Sequence, residues 1–292
     1  MNQTVLIKSV RGLFVPLLLC LFTVSCEHPE FPISVERGNL EVSIYQIEHL
    51  PFSSLTRAEA QQAFSRLCFA VYDSLGTRVK QINQLADDKD FGTAVFQLSP
   101  AQYRVVVVAH SSDGNPTMTN PSKIQFKNSQ GYSDTFSSND TVVVVESGSK
   151  LPVSLSRITS LCRFVVADTI PKGVSKLHFY YQGGSGAFDA ATGLGCVKSK
   201  QVMNFAAQAG QDSTYYDLYT FLSGDEGDLD LQVTAHDEND NVLNSREFKI
   251  PMKRRMVTRV TGNYFTGSGS TSGISITVGL NTDWEGEQEI SY

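Results

Sequence analysis

Apolar and polar residues alternate with a period of two over most of this 292-residue chain. Residues 40–45 and 176–181 show the alternation clearly, and it is typical of strands with one face buried and one face in water. Residues 67–72 and 103–110 are denser in apolar side chains, and the second run follows a Ser-Pro turn at 99–100. That order is typical of sandwich domains in which one strand crosses the centre of a sheet. The pattern predicts an all-β fold.

Further strands are predicted along the whole chain, with Gly, Asn and Asp turns between them. They cover residues 93–98, 141–145, 151–155, 162–167, 217–222, 229–235, 246–250, 256–262 and 274–278. One short helix is predicted over 56–66, where Thr and Glu have the spacing of a capping box. The length fits two β-sandwiches of roughly 120 to 135 residues. We place an N-terminal domain over 36–157 and a C-terminal domain over 158–292.

The N-terminus has the features of an export signal. Lys8 and Arg11 precede an apolar run over 13–22, which has about the ten-residue length of a signal-peptide core. A membrane-spanning helix needs roughly 20 apolar residues, so this run is too short to cross a bilayer. We therefore expect residues 1–25 to be a signal peptide.

Ser25 and Cys26 flank the predicted cleavage site. Residues 23–26 resemble a bacterial lipobox, with Thr23 where that pattern prefers Leu. The resemblance implies that the signal is cut before Cys26, which becomes an N-palmitoyl and S-diacylglycerol cysteine. Two or three acyl chains hold a soluble domain at a bilayer, whereas one chain does so only marginally. Residues 26–35 are then a lipidated spacer. The alternative is an ordinary secretory signal followed by an unmodified cysteine.

The charge balance argues against nucleic acid as a partner. Lys8 and Arg11 are the only charged residues before Cys26, so cleavage changes the net charge from −6 to −8. Nucleic-acid-binding proteins usually present a basic face.

Three cysteines remain in the body of the chain. Cys68 and Cys162 lie in apolar strands and are predicted to be buried thiols. Cys196 leaves an odd number, and a disulfide among the three stays open. No pair has the spacing of a structural zinc site.

The sequence contains no recognisable catalytic or metal-binding pattern. Its five histidines stand apart from each other and from the cysteines, and they are interpreted as solvated or hydrogen-bonded residues. They are His28, His49, His110, His178 and His236. Nucleophile-elbow, zinc-protease and phosphate-loop motifs are absent. We expect no enzyme activity, no cofactor and no metal.

Two loops have a superficial likeness to ligand-binding motifs. The glycine-rich run at 183–186 lacks the Lys-Ser/Thr of a phosphate loop and is predicted to be a hairpin loop. The run at 237–241 begins like a calcium loop, but Val242 and Phe248 stand where the glycine and the final acid belong. A polar hairpin turn fits it better.

Two further features allow alternatives. The basic run at 253–255 is interpreted as solvated charge guarding a strand edge, with docking of an acidic partner as the alternative. Trp284, the only tryptophan, is predicted to pack on the second core. An exposed position would instead indicate a carbohydrate platform.

The order of several loose motifs resembles one known family. Residues 155–157 lead into an apolar strand, followed by Asp-Thr-Ile-Pro at 168–171 and a strand at 177–181. A basic-to-Thr-Gly stretch over 250–265 then precedes a Gly/Ser loop and Asp283-Trp284. Together with the lipobox, this order is similar to that of the FimB-like fimbrial anchor and accessory lipoproteins of the Bacteroidales. The resemblance covers nearly the whole mature chain.

The resemblance implies both a fold and a function. The fold is two tandem transthyretin-like β-sandwich domains. The function is attachment of fimbriae to the outer membrane, with an influence on their length, by β-strand exchange with fimbrillin and other accessory subunits. The protein is then surface-exposed, part of the fimbrium, and concerned with cell adhesion and virulence. Residues 36–48 would form the first strand, and residues 274–292 would be the exchanged strand or the acceptor edge.

Two other functions compete with this one. A surface glycan-binding lipoprotein would need exposed aromatic side chains in a flat row, and the chain has one tryptophan. A lipid-anchored hydrolase would need a nucleophile or paired carboxylates brought together, and no motif supports it.

Overall fold

The computed structural model describes residues 38–48, 64–267, 276–279 and 284–292. The predicted signal, the predicted spacer and Cys26 lie outside these residues. Within them the fold is all-β, as predicted, with one 3-10 helix at Asn128–Gln130. The strands are β1 Leu40–Ile47, β2 Arg66–Tyr72, β3 Arg78–Leu85, β4 Thr93–Phe96, β5 Ala101–His110, β6 Thr117–Asn120, β7 Lys123–Gln125, β8 Phe136–Val144, β9 Ser149–Arg157, β10 Ser160–Val166, β11 Lys176–Gln182, β12 Ala187–Phe188, β13 Gln201–Ala206, β14 Thr214–Thr220, β15 Glu226–His236, β16 Val242–Lys253, β17 Met256–Gly262, β18 Ile276–Gly279 and β19 Gly286–Ser291.

The strands form four sheets. A seven-stranded sheet has the order β3-β2-β5-β8-β9-β1-β4, and a three-stranded sheet has the order β12-β7-β6. The second half of the chain forms a five-stranded sheet, β14-β10-β17-β19-β18, and a four-stranded sheet, β13-β11-β15-β16. All of these strands belong to one compact unit, Arg37–Tyr292.

The first core lies inside the seven-stranded sheet. β8 and β9 pair only at Phe136↔Arg157 and Ser137↔Ser156, so the sheet divides there and its two parts face each other across a shared apolar cluster. β2 and β5 are buried on both faces, because Phe69 joins this cluster while its neighbour Cys68 joins another. Double-sided burial explains the continuous apolar runs in these two strands.

The second core fills the space between the five-stranded and four-stranded sheets. Phe164 of β10, Phe179 of β11 and Phe248 of β16 meet there, with ring centroids 5.1 to 5.7 Å apart for the pairs that involve Phe164. Tyr264 follows β17 and is buried in the same cluster. Alternating apolar positions in both sheets point into this space, as the period-two pattern predicts.

A third core joins the two halves of the chain. Met118, Ile124 and Phe126 pack on the outer face of β2 and β5. Phe188 and Phe221, from the second half, belong to the same cluster. β12 pairs with β7, so the three-stranded sheet takes its strands from both halves. The three-stranded sheet therefore packs against residues from both halves of the chain.

The chain passes between the halves over two residues, because β9 ends at Arg157 and β10 begins at Ser160. Around this point, residues at the end of the first half lie next to the start of β17 and to the residues that precede β19. We call this region the junction and define it by Glu48, Asp134, Arg157, Arg255 and Trp284.

Several predictions need correction. The run at 183–186 is not a hairpin loop, because it leads from β11 in the four-stranded sheet to β12 in the three-stranded sheet. Strands β3, β6, β7, β12, β13 and β19 were not predicted. The helix predicted over 56–66 lies mostly outside the described residues, and Arg66 begins β2. No helix among the described residues has the length and hydropathy needed to span a bilayer.

Candidate functional site

The C-terminal strand β19 lies in the interior of its sheet. It pairs in parallel with β17, from Met256↔Gly286 to Thr261↔Ser291. On its other side it pairs antiparallel with β18, from Ile276↔Ile290 to Gly279↔Glu287. β19 therefore joins a sheet whose other strands come earlier in the sequence.

The inward side chains of β19 hold it against the second core. Ile290 is buried in the apolar cluster. Gln288 is also buried, and its Nε2 donates to the Thr258 hydroxyl at 2.7 Å and to the Pro251 carbonyl at 2.5 Å. A buried amide with both partners in place is stabilising, whereas one without them costs free energy.

Tyr292 closes the end of the strand. Its ring centroid lies 5.2 Å from that of Phe164 and 4.7 Å from that of Phe248. Its hydroxyl donates to the Val165 carbonyl at 3.2 Å, and burial raises its pKa well above the ordinary value. Gly262 of β17 comes so close that an added Cβ would overlap the Tyr292 backbone oxygen. The absence of a side chain at this glycine lets the two strand ends meet.

The outer face of the same sheet carries paired charges. Arg163 Nε donates to Asp217 at 2.7 Å, and this hydrogen bond raises the arginine pKa. Arg259 Nε donates to Glu287 at 2.8 Å. These cross-strand pairs tie β10 to β14 and β17 to β19 across a partly exposed face.

Arg157 connects the first core to Trp284 at the junction. Its guanidinium lies 4.7 Å from the Phe136 ring centroid and 4.0 Å from the Trp284 ring centroid. The same group pairs with Asp134 at 2.9 Å, and the backbone N–H of Arg157 donates to Glu48 at 2.7 Å. The arginine side chain thus combines stacking on aromatic rings with pairing to a carboxylate.

Trp284 is half-buried at the junction and does not belong to the second apolar cluster. The prediction that it packs on the second core is therefore wrong. The Arg157 guanidinium covers one face of its ring, so that face is closed to a sugar.

The interpretation of the basic run at 253–255 as solvated edge charge fits Lys253, whose exposed side chain lies on the edge strand β16, but not Arg254 and Arg255. Arg254 donates to the Thr192 carbonyl at 2.6 Å. Arg255 pairs with Glu285 at 3.1 Å and lies 3.9 Å from Glu48. Both arginines are largely buried, and burial lowers the pKa of Arg254. They hold the turn between β16 and β17 to neighbouring segments.

Cys68 and His110 bring a thiol and an imidazole together within β2 and β5. The Cys68 sulfur lies 3.8 Å from His110 Nε2 and 3.6 Å from Asn115 Oδ1. Burial raises the thiol pKa to about 12, and burial with nearby Arg66 lowers the imidazole pKa to about 4. Both groups stay neutral near pH 7, so this pair makes no thiolate nucleophile.

The described cysteines are free thiols: Cys68 and Cys162 are buried, as predicted, and Cys196 is exposed. His110, His178 and His236 each make a hydrogen-bond contact, as predicted, while His28 and His49 lie outside the described residues. No group of three metal-ligating side chains occurs in the described ranges.

The run at 237–241 is the predicted polar turn between β15 and β16. Asp237 Oδ1 accepts from the backbone N–H groups of Asn239 and Asn241 at 2.8 Å. The carboxylate is thus used within its own turn, with Asp240 at a φ of 66°.

A cleft of about 590 Å³ lies beside the glycine-rich run and is lined in part by Gly183, Lys198, Lys200 and Asp230. Lys200 Nζ lies 5.8 Å from the Tyr180 ring centroid at its border. The described aromatic residues with the most exposed rings, Tyr45 and Tyr215, belong to different sheets. They form no flat row, which the glycan-binding alternative would need.

Sequence reasoning placed residues 274–292 at the centre of the candidate site, and the structure puts β18 and β19 there. The first predicted strand, residues 36–48, corresponds to β1, which is paired on both sides with β4 and β9. Ser25 and Cys26 lie outside the described residues. The junction was missed, because Arg157 and Trp284 are far apart in the sequence and neither has a local motif.

The fold and the site define an all-β protein whose distinctive element is a C-terminal strand built into the middle of a sheet. Residues 38–289 match the model of the Mfa2 family, fimbrillin-A associated anchor proteins Mfa1 and Mfa2, so the chain belongs to this family. The resemblance to fimbrial anchor proteins is confirmed. The chain is a fimbrial anchor- or adhesin-type protein of the cell surface, and the family implies association with fimbrillin rather than catalysis.

Solved structures resemble the chain at low sequence identity. A candidate adhesin from Bacteroides ovatus has a TM-score of 0.50 and 14% identity, with 73% of this chain and 82% of that chain covered. The fimbrial anchor protein Mfa2 from Porphyromonas gingivalis has a TM-score of 0.40 and 11% identity, covering 72% and 81%. A candidate cell adhesion protein from Bacteroides eggerthii has a TM-score of 0.44 and 11% identity, covering 86% and 96%. The first of these shows a shared fold. No curated protein matches the chain.

Proposed function

We propose that the mature chain is a lipoprotein that attaches fimbriae to the outer membrane. Residues 1–25 are removed, Cys26 carries the lipid, and residues 26–35 form the spacer. The body then consists of two transthyretin-like sandwich domains, 36–157 and 158–292. Membership of an anchor family supports this proposal, as do the separate apolar cores in the two halves.

Assembly with fimbrillin proceeds by β-strand exchange in the C-terminal sheet. The observation that carries this proposal is the position of β19 between β17 and β18. If β19 left the sheet, it would leave unpaired hydrogen-bonding groups on both of its neighbours, β17 and β18. Residues 274–292 therefore supply either the exchanged strand or, after moving, the acceptor groove.

An anchor that holds one end of the polymer at the cell also limits its growth. When a fimbrillin is bound at this site, no further subunit can be added to the polymer at its membrane end. We therefore include an influence on fimbrial length in the proposal.

The experiment removes the gene from a fimbriated strain and compares fimbriae on cells with fimbriae shed into the medium. We expect longer or detached fimbriae, restored to normal by the wild-type gene. Unchanged fimbriae in the deletion strain would overturn the anchor proposal.

Two complementing variants then test the strand. Ile290→Asp places a carboxylate in the core beneath β19, while Ser291→Asp adds the same charge at the neighbouring exposed position. We expect the first variant to fail to retain fimbriae and the second to succeed. Circular dichroism of both purified variants separates loss of folding from loss of assembly. A folded Ile290→Asp protein that retains fimbriae fully would rule out β19 as the assembly element.

A further inference from the structure

Exposed aliphatic side chains collect at one end of the first core. Ten large hydrophobic residues are exposed among the described parts of the chain, and five of them belong to this group. The five are Leu75, Val79, Val95, Val143 and Val145. Single exposed aliphatic residues are ordinary, but a set gathered in one place marks an interaction surface.

The strand register brings these residues to the same end. Val143 lies opposite Gln102 at the start of β5, and Val145 follows β8 in the turn before β9. Leu75 lies in the turn between β2 and β3, where Tyr72 pairs with both Arg78 and Arg104. These turns all lie at the end of the first core that faces away from Arg157.

Val95 extends the group to the other part of the seven-stranded sheet. It pairs with Glu41 at the beginning of β1. A Cβ on Gly38 would lie 2.5 Å from Val95 Cγ1, so the described chain begins directly beside this side chain. Leu75 is 88% exposed and Val143 is 63% exposed, which leaves both free to contact another surface.

Charges of both signs accompany the aliphatic residues: the acids are Asp73 beside Leu75, Glu41 opposite Val95 and Glu146 after Val145. Arg104 lines a cleft of about 600 Å³ together with Leu75 and Gln102. Arg78 and Lys80 lie at the start of the neighbouring edge strand. Aliphatic side chains flanked by Arg and Lys suit a bilayer surface, where acyl chains lie beneath headgroup phosphates.

The position of Cys26 identifies the occupant. Gly38 follows Cys26 by twelve positions, and an extended chain of that length reaches at most about 40 Å. A lipid on Cys26 therefore keeps the start of β1, at this end of the first core, within about 40 Å of the bilayer.

We propose that Leu75, Val79, Val95, Val143 and Val145 form a lipid-facing surface that rests on the membrane in which the Cys26 lipid is inserted. This inference rests on the proposed lipid anchor and adds an orientation to it. The first core stands on the bilayer with its strand ends down, and the junction faces away from the membrane. Contact through this surface adds a second attachment to the covalent lipid.

The test uses the full mature lipidated protein in vesicles of phosphatidylcholine and phosphatidylglycerol whose acyl chains carry bromine, a short-range quencher of tryptophan. Leu75→Trp places a tryptophan reporter on the proposed surface. Leu243→Trp places the matched reporter at an exposed position of β16, in the second half of the chain. Both positions are exposed, so neither substitution disturbs packing. Wild-type protein, with Trp284 alone, gives the background.

We expect brominated lipid to quench the Leu75→Trp variant beyond the wild-type level and to leave Leu243→Trp at that level. Equal quenching of the two variants on vesicle-bound protein would overturn the lipid-facing surface while leaving the lipid anchor standing. Protein that does not bind the vesicles would overturn both. A concentration-dependent change in the fluorescence of the Leu75→Trp variant without vesicles would show that the surface joins two copies, which also contradicts the proposal.

Discussion

The guanidinium of Arg157 covers the ring of Trp284 at 4.0 Å from its centroid. Arg157 is the last residue of β9 in the first core, and Trp284 comes two residues before β19 in the second. One side chain thus links the end of the first half to the start of the C-terminal strand. The strand proposed for exchange is thereby connected to the half that lies next in the chain to the proposed lipid anchor.

We expect this contact to contribute a measurable coupling energy. The double-mutant cycle uses Arg157→Lys, which keeps the charge and loses the planar fork, and Trp284→Leu, which keeps apolar bulk and loses the aromatic face. A coupling of about 0.5–2 kcal/mol in the free energy of unfolding is expected for a cation over an aromatic ring. Urea denaturation measures it.

The pair Arg163 and Tyr215 is the control for that cycle. The two side chains are 4.7 Å apart in the same arrangement, but Tyr215 is 61% exposed. We expect a smaller coupling there, because water competes with the contact. Equal coupling in both cycles would contradict a special role for the junction.

The stability of β19 in its sheet depends on Ile290. Replacing this buried residue with alanine removes apolar contact and leaves a cavity in the second core, at an expected cost of about 2–4 kcal/mol. Ser291→Ala changes the adjacent exposed position and is expected to stay within about 0.5 kcal/mol of wild type. Thermal or urea unfolding distinguishes the two. Similar losses for both variants would mean that β19 is held by its backbone alone.

Much of the fold was predictable because strands such as β11 alternate between buried and partly exposed positions, while β2 and β5 are nearly continuous apolar runs. β3 and β19 were missed for a physical reason: they carry few apolar side chains. β19 has one large inward aliphatic residue, Ile290, and its other buried positions are Gly286 and Gln288. Such a strand can be identified only from the strands that pair with it on either side.

The junction could not be predicted from local sequence either. Residues 253–255 look like a solvated basic run, and only the fold reveals that Arg255 meets Glu285 and approaches Glu48. Trp284 likewise has no neighbour in sequence that indicates its partner. Contacts of this kind depend on how the two halves are placed together, which no periodicity encodes.

Stability should fall in mild acid because of His110. Burial, helped by Arg66, lowers the pKa of His110 from its ordinary 6.5 to about 4. The unfolded chain binds a proton near pH 6.5 and the folded chain does not, so stability is full above that pH and is lost as the pH falls towards 4. The expected loss from this group is about 2–3 kcal/mol by about pH 4.5.

The measurement is urea denaturation at several pH values for wild type and His110→Gln. Carboxylates also contribute to acid sensitivity, so the prediction concerns the difference between the two proteins: the variant should show a shallower decline. His178→Gln, at a half-exposed strand position, is the control and should follow wild type. Parallel curves for wild type and His110→Gln would show that the imidazole does not titrate differently in the folded state.

Lipidation at Cys26 predicts a clear fractionation result. Cys26→Ala removes the sulfur that would take the diacylglycerol, so the protein should leave the membrane fraction. Cys20→Ala changes a cysteine inside the signal and should leave the protein in the membrane. Cell fractionation with immunoblotting compares them. Retention of the Cys26→Ala protein in the membrane would contradict the lipid anchor.

The parallel pairing of β1 with β9 has a mechanical consequence. β1 begins at the end of the first core where the chain leads back to Cys26, and β9 runs beside it to the opposite end at Arg157. With the proposed lipid on Cys26, tension between the membrane and the second half would pull β1 and β9 along their axes in opposite directions. Their hydrogen bonds are loaded together, in shear, instead of opening one after another. A tether that must hold a fimbria against flow is strongest in that geometry.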